Sequence, residues 1–185
     1  MLESLITSKT RLRLLIKFFL NIANKGYLNS LANEFGESTN SVRKELNNLN
    51  SAGYLKKENV ENKVIYRANV SHPLFKTIQK IVRQHLGIEQ ILEQVYDNIG
   101  DVEKLVLLGD YAKGIDSGTI EVLIIGKKID KEYLDMICPK IEKKINRSVN
   151  FILFSIFGDI LSKYSLFILS PTIKISISPL SIPLA

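Results

Sequence analysis

The stretch GESTNSVRKELNNLNSAGYL, from Gly36 to Leu55, decides the fold of this chain. Val42, Leu46 and Leu49 recur within it at spacings of four and three residues, which places them on one face of an α-helix. Ser38 stands where the side chain that caps the start of such a helix is needed. The stretch therefore predicts an amphipathic helix whose apolar face packs on a core.

The other face of this helix carries hydrogen-bonding side chains and no carboxylate. Lys and Arg suit guanine edges or phosphates, Asn suits adenine edges, and a helix start can meet a phosphate. A solvated face that happens to lack acids is the alternative interpretation. The residues that we expect to contact DNA are Ser38, Thr39, Asn40, Arg43, Lys44, Asn47, Asn48 and Ser51.

Two helical segments precede this helix, and a hairpin follows it. Helical spacing predicts a first helix over Ser8–Ala23, ended by Gly26, and a second over Leu28–Phe35. Two short β-type runs enclose a polar turn at residues 58–62 and predict a hairpin. If the hairpin is a DNA-binding wing, its cations would contact backbone phosphates. Alternatively, they would only protect an edge strand from aggregation. They are Lys56, Lys57, Lys63 and Arg67.

The third helix carries a family resemblance over residues 8–68. Its Ser cap, its ending Leu49-Asn50-Ser51-Ala52-Gly53 and the apolar pair Tyr54-Leu55 resemble the ArsR/MarR-type winged helix-turn-helix regulators. The resemblance implies a recognition helix in the major groove, a wing on the phosphates, and double-stranded DNA as the partner.

A heptad pattern follows the wing, with apolar spacing of four and three residues over residues 74–99. The pattern predicts a long connecting helix over 71–100, with Gly87 as the point where it would kink or divide. Either the seam pairs two chains, giving a homodimer through residues 74–99, or the helix packs on its own domain. The seam consists of Leu74, Ile78, Ile81, His85, Ile88, Leu92, Val95 and Ile99.

From Val102 onward the pattern predicts a small α/β domain. Apolar runs at Leu105–Leu108, Ile120–Ile125 and Val149–Phe154 predict strands, with a helix over Lys131–Arg147. The segments 108–114 and 117–126 resemble the minimal nucleotidyltransferase fold. That family carries Gly-Ser-x-Ala-x-Gly, then Asp-x-Asp on the next strand and a third carboxylate on a later one.

Nucleotidyl transfer requires acidic residues that bind two metal ions, and most of these residues are missing here. Thr119 and Glu121 occupy the Asp-x-Asp positions, and Asn150 occupies the position of the third acid. One carboxylate cannot hold two divalent cations, so we expect no enzyme, no metal and no cofactor. A small molecule or a nucleotide could still bind as an effector. The candidate ligand-binding residues are Gly109, Asp110, Lys113, Thr119 and Glu121.

Composition sets the remaining limits. The 185 residues carry a net charge of +6, and residues 1–100 hold 14 basic against 9 acidic side chains. One cysteine, Cys138, and two histidines disfavour an internal disulfide and a Cys- or His-rich metal site. No targeting or membrane segment is expected, which favours the cytoplasm. An alternating segment, Ile173–Ser178, predicts an edge or partner strand.

Together these features predict an α+β chain with three parts: a winged helix-turn-helix domain over 1–70, a connecting and dimerising helix over 71–100, and a degenerate nucleotidyltransferase-like domain over 101–185. The leading hypothesis is a homodimeric DNA-binding transcriptional regulator. Its second domain would serve assembly or effector sensing. The alternatives are a nucleotidyltransferase that uses the winged helix as its substrate arm, and a protein-interaction module.

Overall fold

The structure is a computed structural model that describes residues 6–60, 63–96 and 98–155. Over these residues the chain is α+β, with seven α-helices and two three-stranded sheets. One compact unit runs up to Ile88 and takes in Lys113–Asp116, and the other comprises Glu89–Ala112 and continues from Ser117. The predicted strand Ile173–Ser178 lies outside the described residues.

The first unit has the element order helix, strand, helix, helix, hairpin, helix. Its three strands pair antiparallel in the order β1-β3-β2, which agrees with the predicted winged-helix arrangement. The elements are α1 (Lys9–Leu15), a π-helical turn that continues it (Ile16–Leu20), β1 (Lys25–Tyr27), α2 (Leu28–Phe35), α3 (Thr39–Ser51), β2 (Leu55–Val60), β3 (Lys63–Ala68) and α4 (Phe75–Leu86).

Helix α3 forms as the sequence predicts. The Ser38 hydroxyl accepts the backbone N–H of Ser41 at 3.2 Å, which caps the helix start. Val42 and Leu46 are fully buried at 0% exposure, so the apolar face supplies the contact with the core. Gly53 follows the helix with φ at +77°, a conformation that favours glycine. The predicted cap, core face and ending of this helix are confirmed.

The segment before α2 differs from the prediction. The first helix ends at Leu20, and Gly26 lies in β1 opposite Tyr66 of β3. A Cβ at Gly26 would lie 2.8 Å from a methyl carbon of Leu31, which is too close. This glycine therefore permits close packing of α2 on the strand, and its predicted role as a left-handed helix end is wrong.

The connecting segment is not one continuous helix, because it divides at Gly87, the position where the sequence predicts a kink or a division. Helix α4 ends at Leu86, Gly87 takes φ at +82°, and a separate helix α5 (Ile88–Tyr96) follows. The division splits the predicted seam. In its second half Ile88, Val95 and Ile99 are buried and Leu92 is half-buried, whereas Leu74 and Ile81 of the first half remain exposed.

The second unit contains a mixed sheet in the order β4-β5-β6. Strand β4 pairs antiparallel with β5, and β5 pairs parallel with β6. Helix α7 buries one apolar face, and its Glu142 carboxylate accepts the Val149 N–H at 2.7 Å. The three predicted strands have counterparts in β4 (Gly100–Leu108), β5 (Thr119–Ile129) and β6 (Ser148–Ser155), and the predicted helix has one in α7 (Lys131–Ile145). A short helix, α6 (Gly109–Ala112), was not predicted from the sequence.

Within the described part of the chain, every helix is too short or too polar to cross a bilayer.

Candidate nucleic-acid interface

The outer face of α3 is open to solvent. All eight residues that the sequence assigns to DNA contact at α3 are exposed: Ser38, Thr39, Asn40, Arg43, Lys44, Asn47, Asn48 and Ser51. The Asn48 side chain also hydrogen-bonds to Glu45. The face therefore presents amides, hydroxyls and two cations, which are the groups that base edges and phosphates accept.

The one carboxylate of α3, Glu45, turns away from this face. It is 7% exposed, and its Oε2 accepts the Nε–H of Arg11 on α1 at 2.8 Å. Burial raises the pKa of Glu45, but hydrogen bonds from Arg11, Ser8 and Asn48 outweigh burial and hold it below its ordinary value. The carboxylate therefore stays ionised and is neutralised inside the domain.

Three ion pairs join the first helical segment to α2, α3 and the turn between them. Besides the Arg11–Glu45 pair, Arg13 contacts Glu37 at 3.1 Å and Lys17 contacts Glu34 at 2.8 Å. Thr10 donates a further hydrogen bond to Glu37. These pairs were not predicted from the sequence. The signal for them was the series of cations in an otherwise apolar segment.

Arg11→Ala should destabilise the packing of α3 on α1 by about 1–3 kcal/mol, because it leaves the Glu45 carboxylate buried without its charged partner. The folded-state pKa of Glu45 lies below its ordinary value of 4.5, so the pair stabilises the fold above that pH. Its contribution is lost as the pH falls through the lowered value. Amide hydrogen exchange of α1 and α3 at two pH values measures both effects.

Arg13→Ala is the matched control, since the Arg13 side chain is 49% exposed and its pair with Glu37 is closer to solvent. It should cost less than about 1 kcal/mol. An Arg11→Ala penalty of the same size at pH 7 and at a pH low enough to protonate Glu45 in the folded chain would contradict the assigned role of Glu45.

The hairpin separates its four predicted contact residues between two faces. Lys56 and Arg67 stand directly opposite each other in the register, and Lys63 shares their face. Lys57 lies on the opposite face, beside Tyr66. Arg67 also forms an ion pair with Glu58. Lys56, Lys57 and Lys63 are exposed. Phosphate contact by all four residues stays a prediction.

A surface groove joins the wing to α2 and α3. Arg43 of α3 and Lys63 of β3 both line it, together with the first turn of α2. The described lining residues include no acid, and they are Tyr27, Leu28, Asn29, Ser30, Arg43, Lys63 and Val64. The DNA contacts predicted from the sequence include Arg43 and Lys63, but not the groove residues of β1 and α2.

The candidate ligand residues that the sequence places in the second domain are only partly brought together. Gly109 has φ at +58°, and a Cβ there would overlap the carboxylate of Glu121. Glu121 pairs in register with Asn150 of β6, and Thr119 shares its face of the sheet. Lys113 belongs to the first unit, where its carbonyl accepts the side-chain amide of Asn24 at 2.9 Å.

Asp110 is exposed in the first turn of α6. Over residues 6–60, 63–96 and 98–155, no three His, Cys, Asp or Glu side chains converge into a group that could hold a metal ion.

The order of helices and strands in the first unit and its β1-β3-β2 sheet are compatible with a winged-helix domain. No protein-family model matches the chain, and no curated protein matches it either. Among solved structures it is similar to the crystal structure of the AntR antimony-specific transcriptional repressor, with 17% sequence identity and a TM-score of 0.35. The overlap covers 48% of this chain and 72% of that one.

Proposed function

We propose that this chain is a DNA-binding transcriptional regulator whose α3 lies in the major groove. One observation carries the proposal: the whole outer face of α3 is exposed and free of acid, while its one carboxylate is buried on Arg11. A helix presenting Lys44 and Asn47 has the donors that guanine and adenine edges require.

The basic wing supports this function. Lys63 lies in one groove with Arg43, so a phosphate near the recognition helix would meet two cations at once. The charge excess of residues 1–100 gives the same half of the chain an attraction for polyanions.

The proposal includes a homodimer that forms through α4. Leu74, Ile78 and Ile81 form an apolar stripe along α4, and Leu74 and Ile81 are 48% and 40% exposed. At 100° per residue, Lys76 and Lys80 fall on the other side of the helix, so a second copy docked on the stripe meets no like charge there. A two-fold pair of winged helices would read two half-sites about one helical turn apart.

Lys63→Ala should weaken binding to all duplexes about equally and reduce the slope of log affinity against log salt by about one unit, because one phosphate contact is lost. Fluorescence anisotropy with genomic fragments, first enriched by the wild-type chain at two salt concentrations, measures this. Lys140→Ala on α7 of the second unit also removes an exposed cation and should change neither quantity. Salt-independent retention, or no enriched fragment, would contradict the proposed function.

A further inference from the structure

The outer face of the first unit's sheet carries a row of cations that includes a residue outside the wing. The register places Lys25 of β1 opposite Arg67 of β3, and Arg67 opposite Lys56 of β2. Directly opposed residues share a face, and neighbouring strands lie about 4.8 Å apart, so the row spans about 10 Å. Lys25 and Lys56 are exposed, and the Arg67 side chain is 43% exposed.

The same face continues from this row to the groove beside α3. The next position in register is Tyr27 of β1, which is 39% exposed and lines that groove together with Lys63 and Arg43. The row and the cations of the groove therefore lie on the same side of the sheet, with Tyr27 and the buried Ile65 between them.

One carboxylate interrupts this surface among the described residues of the face. Glu58 of β2 pairs with Arg67, and its side chain is 43% exposed. A carboxylate with this exposed fraction is well solvated, so its ion pair with Arg67 contributes little to the stability of the fold. It does, however, place a negative charge where an anion would bind.

Protection of strand edges is the simpler explanation for exposed lysines on β1 and β2, since both are edge strands. It does not account for Arg67, which lies on the central strand β3, in line with both lysines. A row that crosses the whole sheet fits an extended anion better than it fits edge protection.

We propose that Lys25, Arg67 and Lys56 bind the phosphodiester backbone of a DNA duplex next to the site read by α3, and that Glu58 limits the affinity. Over the length of the row, one DNA strand carries about three phosphates along its axis. The proposal rests on the proposed function, and it adds β1 to the DNA-binding surface.

Two substitutions with opposite expected effects test it on the full chain, with a fluorescent duplex of random sequence titrated at several salt concentrations. Lys25→Ala should weaken binding and lower the salt slope by about one unit. Glu58→Gln should strengthen binding about two- to fivefold at low salt, and the gain should shrink as salt is added. Damage to the fold does not produce a gain of affinity. Lys140→Ala again serves as the control.

Suppose that Lys63→Ala weakens DNA binding but Lys25→Ala and Glu58→Gln both bind with wild-type affinity. That result would contradict this inference and leave the proposed function intact. If the wild-type chain showed no salt-dependent binding of DNA, both this inference and the proposed function would be contradicted. If the chain bound the duplex and a polyglutamate peptide equally, and Lys25→Ala lost both, the ligand of this surface would not be specifically DNA. That result would favour an acidic protein partner.

Discussion

Leu46→Ala is expected to destabilise the first unit by about 2–5 kcal/mol and to abolish DNA binding at temperatures where the wild-type chain is folded. Leu46 is fully buried, at 0% exposure, in the centre of α3. Truncation removes its contacts and leaves a cavity on the side of the helix that packs on the core. Urea unfolding followed by circular dichroism measures the loss, and hydrogen exchange assigns it to α3.

The adjacent substitution Asn47→Ala is the matched control, because Asn47 is exposed one residue further along the same helix. It should change stability by less than about 0.5 kcal/mol. Similar destabilisation by both substitutions would mean that the two faces of α3 have been assigned wrongly.

Lys44→Ala and Asn47→Ala are each expected to relax base preference at one position of the bound site, at a cost of about 1–3 kcal/mol for a well-made contact. Both side chains are exposed on α3 and would lie against base edges when the helix enters the major groove. Titration of duplexes that differ by one base pair, at fixed salt, gives the preference of each variant.

Lys63→Ala separates base reading from phosphate binding in the same titration, since a phosphate contact weakens all duplexes alike. If Lys44→Ala and Asn47→Ala lowered affinity without changing the preference among bases, α3 would bind the backbone only.

Helix α3 could be predicted from the sequence because its determinants are local. The Ser38 cap, the apolar spacing of Val42, Leu46 and Leu49 and the ending at Gly53 act within one segment, and the structure shows each of them. The hairpin was predictable for the same reason, because two short β-type runs enclose a polar turn, although β2 continues to Val60 and so includes residues 58–60 that were assigned to the turn.

The ion pairs and the short strand β1 depend on contacts between distant residues. Arg11 meets Glu45 across 34 positions, and no local pattern selects that carboxylate over the others. Strand β1 has three residues and is defined by its pairing with β3, so its sequence carries no periodic signal of its own.

The connecting segment shows where periodicity misleads. A seam spaced as in a coiled coil runs through residues 74–99, but Gly87 adopts a left-handed conformation and separates α4 from α5. The second half of the seam is then used as core, and only the stripe on α4 remains for the proposed dimer. Periodicity identified the apolar positions correctly but could not assign them to one interface.

The most direct test of DNA reading by α3 is a selection from a pool of duplexes with random sequence, at one salt concentration, for the wild-type chain, Asn47→Ala and Lys140→Ala. The wild-type chain and Lys140→Ala should enrich the same motif, with two half-sites related by two-fold symmetry. Asn47→Ala should enrich that motif with one position degenerate in each half-site. An identical motif for Asn47→Ala, or a pool that no variant enriches, would contradict the placement of α3 in the major groove.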